Sequence, residues 1–224
     1  MNLTLFDLDG TLLPHDSDYA FGEFMIRIGW ADAGHSRTRN DAFFRDYQNG
    51  TLDIHAYVDF ATESWRKQPL AEAQAARERF MREDILPELH DSARELVRGH
   101  QEAGDLVAIV TATNDFITRP IADAFGVDEL IATRLERDAE GRVTGCIDGT
   151  PSFREGKIER VGEWLARHGL DWSRFGRITV YSDSTNDLPL LERATHPVAT
   201  NPSSGLEKLA AERGWRILKL FNDE

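Results

Sequence analysis

Asp7 and Asp9 stand two residues apart, directly after the apolar run Leu3-Thr4-Leu5-Phe6 and just before Gly10-Thr11. An apolar strand that delivers two carboxylates into a glycine-containing turn suits phosphoryl-transfer chemistry, although the same residues also read as a plain strand followed by an Asp-Gly turn. A second acidic pair, Asp183 and Asp187, lies in Ser182-Asp183-Ser184-Thr185-Asn186-Asp187, again directly after an apolar run, Ile178 to Tyr181. If the two strands are neighbours, four carboxylates converge in a partly dehydrated cleft and repel, so a positive charge must hold them together. The donors are all oxygen, with no His or Cys interleaved. That favours a hard cation over zinc, and Mg²⁺ in particular where phosphate oxygen and water complete its shell. Taken alone, the Asp183 segment also suits a helix N-cap with acids in the first turn. Lys157 falls in the first turn of an expected helix, where a cation opposes the macrodipole unless it has another partner. The carboxylates and a phosphate would supply one; an ordinary surface lysine is the other reading. Thr111 closes the most apolar strand, where a threonine is often no more than a good strand former.

The elements that must position these groups alternate. Leu3 to Phe6 predicts a short buried strand, and Leu106 to Val110 a continuous apolar one of the kind covered on both faces. A helix from Asp91, with Ser92 and Glu95 at capping-box spacing, is expected to stop at Gly104. Another runs from Asp115 through Phe125, made irregular by Pro120. Ile131 to Leu135 and Arg142 to Ile147 suggest a strand and a small hairpin around Asp138-Ala139-Glu140-Gly141. A helix from Glu155 to His168, the strand Ile178 to Tyr181, and shorter segments through Leu220 continue the pattern. Alternation of this kind implies an α/β fold, Rossmann-like and doubly wound around a mostly parallel sheet, with ligands at the carboxyl ends of the strands. Asp7, Asp9, Thr111 and Asp183 all fall at such ends. Between Pro14 and Pro87 the character differs: aromatic and charged residues recur at helical spacing, as in Phe21, Phe24, Met25 and Ile28, with no strand signal. We expect residues 1–14 and 85–224 to form the core and residues 15–84 a helical insertion.

At 224 residues the chain can bury a core without staples. Cys146 is its one cysteine, which rules out an intrachain disulfide and any cysteine-rich zinc site. With 26 basic and 39 acidic residues the formal charge is −13, which opposes docking on nucleic acid. No window is apolar for long enough to span a membrane, and the N-terminus has no signal-peptide pattern, so a cytoplasmic protein is expected. Oligomeric state cannot be read from these features.

The segments Leu3 to Leu13, Thr111, Phe153-Arg154-Glu155-Gly156-Lys157 and Tyr181 to Leu191 resemble, in that order, the four motifs of the haloacid dehalogenase superfamily. The last is similar to subfamily IB, the branch that contains phosphoserine phosphatase. The resemblance implies a Mg²⁺-dependent phosphatase acting on a small phosphomonoester through an aspartyl-phosphate intermediate. Asp7 would be the nucleophile and Asp9 the general acid and base, with Lys157 steadying Asp7 and the transferring phosphoryl group. Asp7 and Asp183 would ligate Mg²⁺ by side chain and Asp9 by its carbonyl, with Asp187 supporting them as a ligand or from behind. Thr111, the amide of Ala112, and Asn186 would contact the phosphoryl group or the attacking water.

Residues 15–84 match the cap that this subfamily inserts between its first and second motifs. Within them His15, Asp16 and Asp18 near the hinge, and Arg37, Arg39 and Arg45 deeper in, are the substrate-recognition candidates. Asp16 falls near the acidic residue that phosphoserine phosphatases carry after the first motif, but two departures bear on specificity: Ala112-Thr113 replaces a frequent glycine pair, and no cap arginine aligns with the one that binds a phosphoserine carboxylate. A histidinol-phosphate-type phosphatase, or a phosphotransferase passing the group to an alcohol, shares the same motifs. A dehalogenase proper would need neither Mg²⁺ nor Asp9. A response-regulator receiver would place its phosphoaccepting Asp on an internal strand of a much shorter chain.

Overall fold

The computed structural model describes residues 1–221. Six parallel strands form the main sheet: β1 (Asn2–Phe6), β2 (Leu106–Asn114), β3 (Leu130–Thr133), β6 (Arg177–Ser182), β7 (His196–Thr200) and β8 (Arg216–Leu218). Their spatial order is β3-β2-β1-β6-β7-β8, so the strand order reverses at β1. Period-two alternation splits each strand between two apolar layers. Leu3 and Leu5 join Ala108, Val110, Ile178 and Val180 on one face, while Phe6 joins Ile109 and Tyr181 on the other. The expected α/β architecture is what the chain adopts.

Three connections differ from the sequence expectation. The run Ile131 to Leu135 is divided at Arg134: β3 stays in the main sheet, and β4 (Leu135–Arg137) pairs antiparallel with β5 (Val143–Ile147). Strand β2 continues past Val110 to Asn114 through a register irregularity, because Thr111 and Thr113 are as well suited to an extended backbone as the apolar run before them. No capping box forms at Ser92. Helix α5 (Asp91–Glu102) starts at Asp91 as expected, but its N-cap is His90, and the Ser92 hydroxyl, inside the first turn, donates to the Leu220 carbonyl at 3.0 Å.

Between β1 and α5 the chain is helical throughout: α1 (Ser17–Arg27), α2 (Ala33–Asn49), α3 (Ile54–Arg66) and α4 (Leu70–Phe80), then a wider turn at Met81–Ile85 before Pro87. Aspartates start three of these helices. Asp16, Asp32 and Asp53 each accept amide protons from the first turn, satisfying donors the helix cannot. Their apolar faces do not close on themselves. Phe21, Phe24, Trp65 and Phe80 pack in the same cluster as Phe6, Ile109 and Phe116, with Trp65 stacked on Phe116 at 4.2 Å. Helix α6 (Asp115–Ala124) carries Pro120, whose missing N–H orphans the Phe116 carbonyl one turn earlier. Arg77 of α4 fills the vacancy, its guanidinium donating to that carbonyl at 3.0 Å.

Candidate active site

Register brings the acids together. Phe6 lies opposite Tyr181, and the ladder runs one residue further through a hydrogen bond from the Asp7 amide to the Tyr181 carbonyl, 2.9 Å. Asp7 and the Ser182-Asp183 segment therefore leave adjacent strand ends side by side, at the point where the strand order reverses and α/β sheets open a crevice. Beyond Asp7 the chain folds tightly, with the amides of Thr11, Leu12 and Leu13 all donating to the Leu8 carbonyl. Gly10 makes this possible. Its φ is +74°, and a Cβ there would overlap the Asp183 carboxylate.

Helix α7 (Glu155–Arg167) contributes Lys157, 1% exposed, whose ammonium donates to Asp7 Oδ1 at 2.8 Å and Asp187 Oδ2 at 2.7 Å. Its two carboxylate partners raise its pKa against the lowering effect of burial, so it stays charged. Asp7 also accepts from the Thr11 hydroxyl at 3.0 Å, and Asp187 from the Ser182 hydroxyl at 2.8 Å. Asp9 is held at both oxygens: Oδ1 accepts from the Ser17 amide at 2.8 Å, and Oδ2 from the Thr113 hydroxyl at 2.8 Å, with the Thr111 hydroxyl at 3.5 Å. Burial, reinforced by the neighbouring charge of Asp16, pushes Asp9 up to about 6. That places a proton donor and acceptor close to neutrality. Burial also raises Asp7, to about 7, and Asp183 well above the carboxylate range, with Asp7 and Asp187 adding to the effect on Asp183.

One ammonium thus faces three mutually repelling carboxylates, and the excess negative charge calls for a cation. The donors fit a hard one. Among the described residues no three Asp, Glu, His or Cys side chains stand in metal-ligand geometry, so a metal would draw on Asp7, Asp183, carbonyl oxygen and water, a set that suits Mg²⁺. The four acids expected around the metal converge: the carboxylate of Asp9 serves Ser17 and Thr113, which leaves the expected carbonyl available, and the carboxylate of Asp187 serves Lys157 and Ser182.

The cleft is closed from above by the helical block. Asp7, Asp9, Thr111, Ala112 and Thr113 form its floor, and Asp16, Tyr19, Asn40, Phe43, Phe44, Tyr47, Leu52, Ile54 and Tyr57 its walls, without a lysine or arginine. Asp16 is where the sequence placed it. His15 is half-buried and does not line the cleft, since the chain turns at this point so that Asp16 can cap α1. Nor do the expected arginines line it. Arg37 pairs with Glu23 at 2.7 Å, Arg39 lies over Phe60 at 4.6 Å, and Arg45 is exposed. Asp18 is buried beside Tyr57, with Asn114 at 3.5 Å, and is pushed up to about 8. Both polar ends of the Asn186 side chain are engaged: Nδ2 donates to the Tyr47 carbonyl at 3.1 Å, and Oδ1 accepts from Arg154 at 3.3 Å. Sequence reasoning missed Thr113, Asn40 and the aromatic residues of α2. Signals existed for them, because Thr113 shares a strand face with Thr111, and Asn40, Phe43 and Tyr47 stand at i, i+3 and i+7 of one helix.

The haloacid dehalogenase-like hydrolase family model matches residues 4–192, from β1 through the Asp183–Asp187 loop into α8 (Leu188–Arg193). The chain belongs to that family. Its class of reaction is accordingly hydrolysis of phosphoric monoesters, and no helix among the described residues is long and apolar enough to cross a membrane. A histidinol-phosphatase of Neisseria meningitidis serogroup C is 44% identical over 217 residues, which is 97% of this chain and 98% of that one. A crystal structure of a Bordetella pertussis Tohama I protein of unknown function is 50% identical, with a TM-score of 0.92 over 98% of this chain and 99% of that one. A phospho-aspartyl intermediate analogue of phosphoserine phosphatase superposes with a TM-score of 0.69 over 99% of this chain and 94% of that one. At 18% identity it attests the fold alone.

Proposed function

We propose that this hydrolase dephosphorylates histidinol phosphate, a phosphomonoester whose alcohol carries an ammonium group and an imidazole. The observation that carries the reading is the wall of the cleft. Asp16, Asn40 and five aromatic rings surround the space above Asp7, and no cationic side chain is among them. An ammonium or imidazolium is attracted both to a carboxylate and to the faces of aromatic rings. O-phosphoserine carries an ammonium too, but its carboxylate would find no counter-ion there. The full-length likeness to the Neisseria histidinol-phosphatase supports the same substrate.

The residues support two successive displacements. Asp7 attacks phosphorus, forming an aspartyl phosphate as the ester P–O bond breaks, and Asp9 delivers its proton to the departing alkoxide. Asp9 then takes a proton from water, which attacks phosphorus, frees the Asp7 carboxylate and releases inorganic phosphate. Lys157 and the Thr111 hydroxyl offset charge on the transferring group. A Mg²⁺ ion, held by the Asp7 and Asp183 side chains and the Asp9 carbonyl, would neutralise the carboxylates and the phosphoryl oxygens.

The test compares release of inorganic phosphate from histidinol phosphate and from O-phosphoserine, with Mg²⁺ and with a chelator. We expect kcat/KM to favour histidinol phosphate by at least about tenfold, the scale of one misplaced charged group. Chelation and Asp7→Asn should each abolish turnover. Equal or reversed preference defeats the substrate assignment, and turnover by Asp7→Asn defeats the covalent mechanism.

A further inference from the structure

We propose that Arg154 is a positioning residue that fastens the C-terminal end of α2 to the core, coupling closure of the cleft to the setting of Lys157. Arg154 stands immediately before α7, three residues from Lys157, with φ +53° and ψ −122°. An L-residue with a side chain is strained in that conformation and glycine is not. A side chain is kept there nonetheless, and its contacts show what it does.

The Arg154 Nε donates to Asn186 Oδ1 at 3.3 Å, and Asn186 Nδ2 donates to the Tyr47 carbonyl at 3.1 Å. The guanidinium lies 5.4 Å from the Phe153 ring centroid, and that ring is 6.1 Å from Tyr47. It also fits against Gly50, the left-handed C-cap of α2, where a Cβ would overlap it. A cation at this point faces the negative end of the α2 dipole. Both supports of the bridge also hold Lys157, since Arg154 opens its helix and Asn186 precedes Asp187, its partner at 2.7 Å. Tyr47 in turn lines the cleft with Asp7 and Asp9. Docking of α2 and placement of the ammonium are therefore two ends of one chain of contacts.

Arg154→Gly separates this role from simple structural support, because it relieves the backbone strain while deleting the guanidinium. The readouts are Tm, hydrogen exchange across residues 45–52 and across β1 and β6, and turnover of p-nitrophenyl phosphate. Tm should be unchanged or higher, with exchange in 45–52 at least about tenfold faster and the strands unaffected. With the bridge gone, kcat/KM should fall about tenfold or more. Arg154→Lys, which keeps a donor for Asn186, should recover part of both effects. Unchanged exchange in 45–52 overturns the proposal. So does a fall in Tm with faster exchange throughout, which would make Arg154 a general structural contact. Only the kinetic arm rests on the phosphatase reading. If wild-type enzyme turns over no phosphomonoester, the exchange result still decides whether Arg154 fastens α2.

Discussion

At the scale of single residues, the site works by concentrating negative charge where water is scarce and answering it with very few cations. Asp18 is one instance. It is buried, its neighbours Tyr57 and Asn114 are neutral, and the nearby charges of Asp16 and Asp9 add to the burial that lifts it to about 8. The folded protein therefore holds a proton that the unfolded chain gives up from near pH 4 upward. Stability contributed at low pH is lost as pH rises toward 8, by an amount on the order of a few kcal/mol. Asp18→Asn keeps the shape and removes the titration. Urea denaturation at pH 5 and pH 8.5 should show the wild type losing more stability across that interval than the variant. Parallel losses in the two proteins would place the buried proton elsewhere.

At the scale of elements, the helical block is joined to the core by backbone defects as well as by apolar packing. Pro120 breaks the α6 ladder and Arg77 of α4 makes the bond that is missing. Arg77→Met should cost about 1–3 kcal/mol, the penalty for a buried carbonyl left unpaired. In a Pro120→Ala background, where the helix can supply its own N–H, the same substitution should cost markedly less. A double-mutant cycle in chemical denaturation measures the difference, and equal costs in both backgrounds would deny the link. The sequence reveals the proline but not the arginine, because the two are 43 positions apart and only tertiary packing joins them. The same contrast runs through the whole site. Asp7, Asp9, Lys157 and Asp183 are legible because each sits at an element boundary that local pattern marks, and the strand alternation needed to align them is strong. Asn40, Phe43 and Tyr47 form an amphipathic stripe like any other, and nothing local says that this stripe faces a cleft. His15 and Asp16 are adjacent in sequence, yet only the capping bond of α1 decides which of them lines the cleft. The capping box at Ser92 fails because the helix begins at Asp91 with His90 as its N-cap, which leaves Ser92 inside the first turn.

At the scale of the molecule, the expected division into core and helical insertion at residues 15 and 84 follows chain order, and the packing runs across it. Phe80 is fully buried, with ring centroids 4.9 Å from Phe21 and 5.6 Å from Phe24, in the cluster that also holds Phe6 of β1 and Phe116 of α6. Neither part can leave without exposing the other's apolar face, so we expect the two to unfold in one transition. Trp65, stacked on Phe116 across the divide, reports the block by fluorescence once the other four tryptophans are replaced by phenylalanine, while far-ultraviolet circular dichroism reports the molecule as a whole. The two signals should give the same midpoint in urea. Phe80→Ala should lower stability by about 3–5 kcal/mol and move both midpoints together, because the cavity it opens lies in a core the two parts share. A fluorescence midpoint that falls while the dichroism midpoint stays in place would mean that the block is a separately folding cap. The α2 docking contacts would then carry more of the burden of closure than the shared core does.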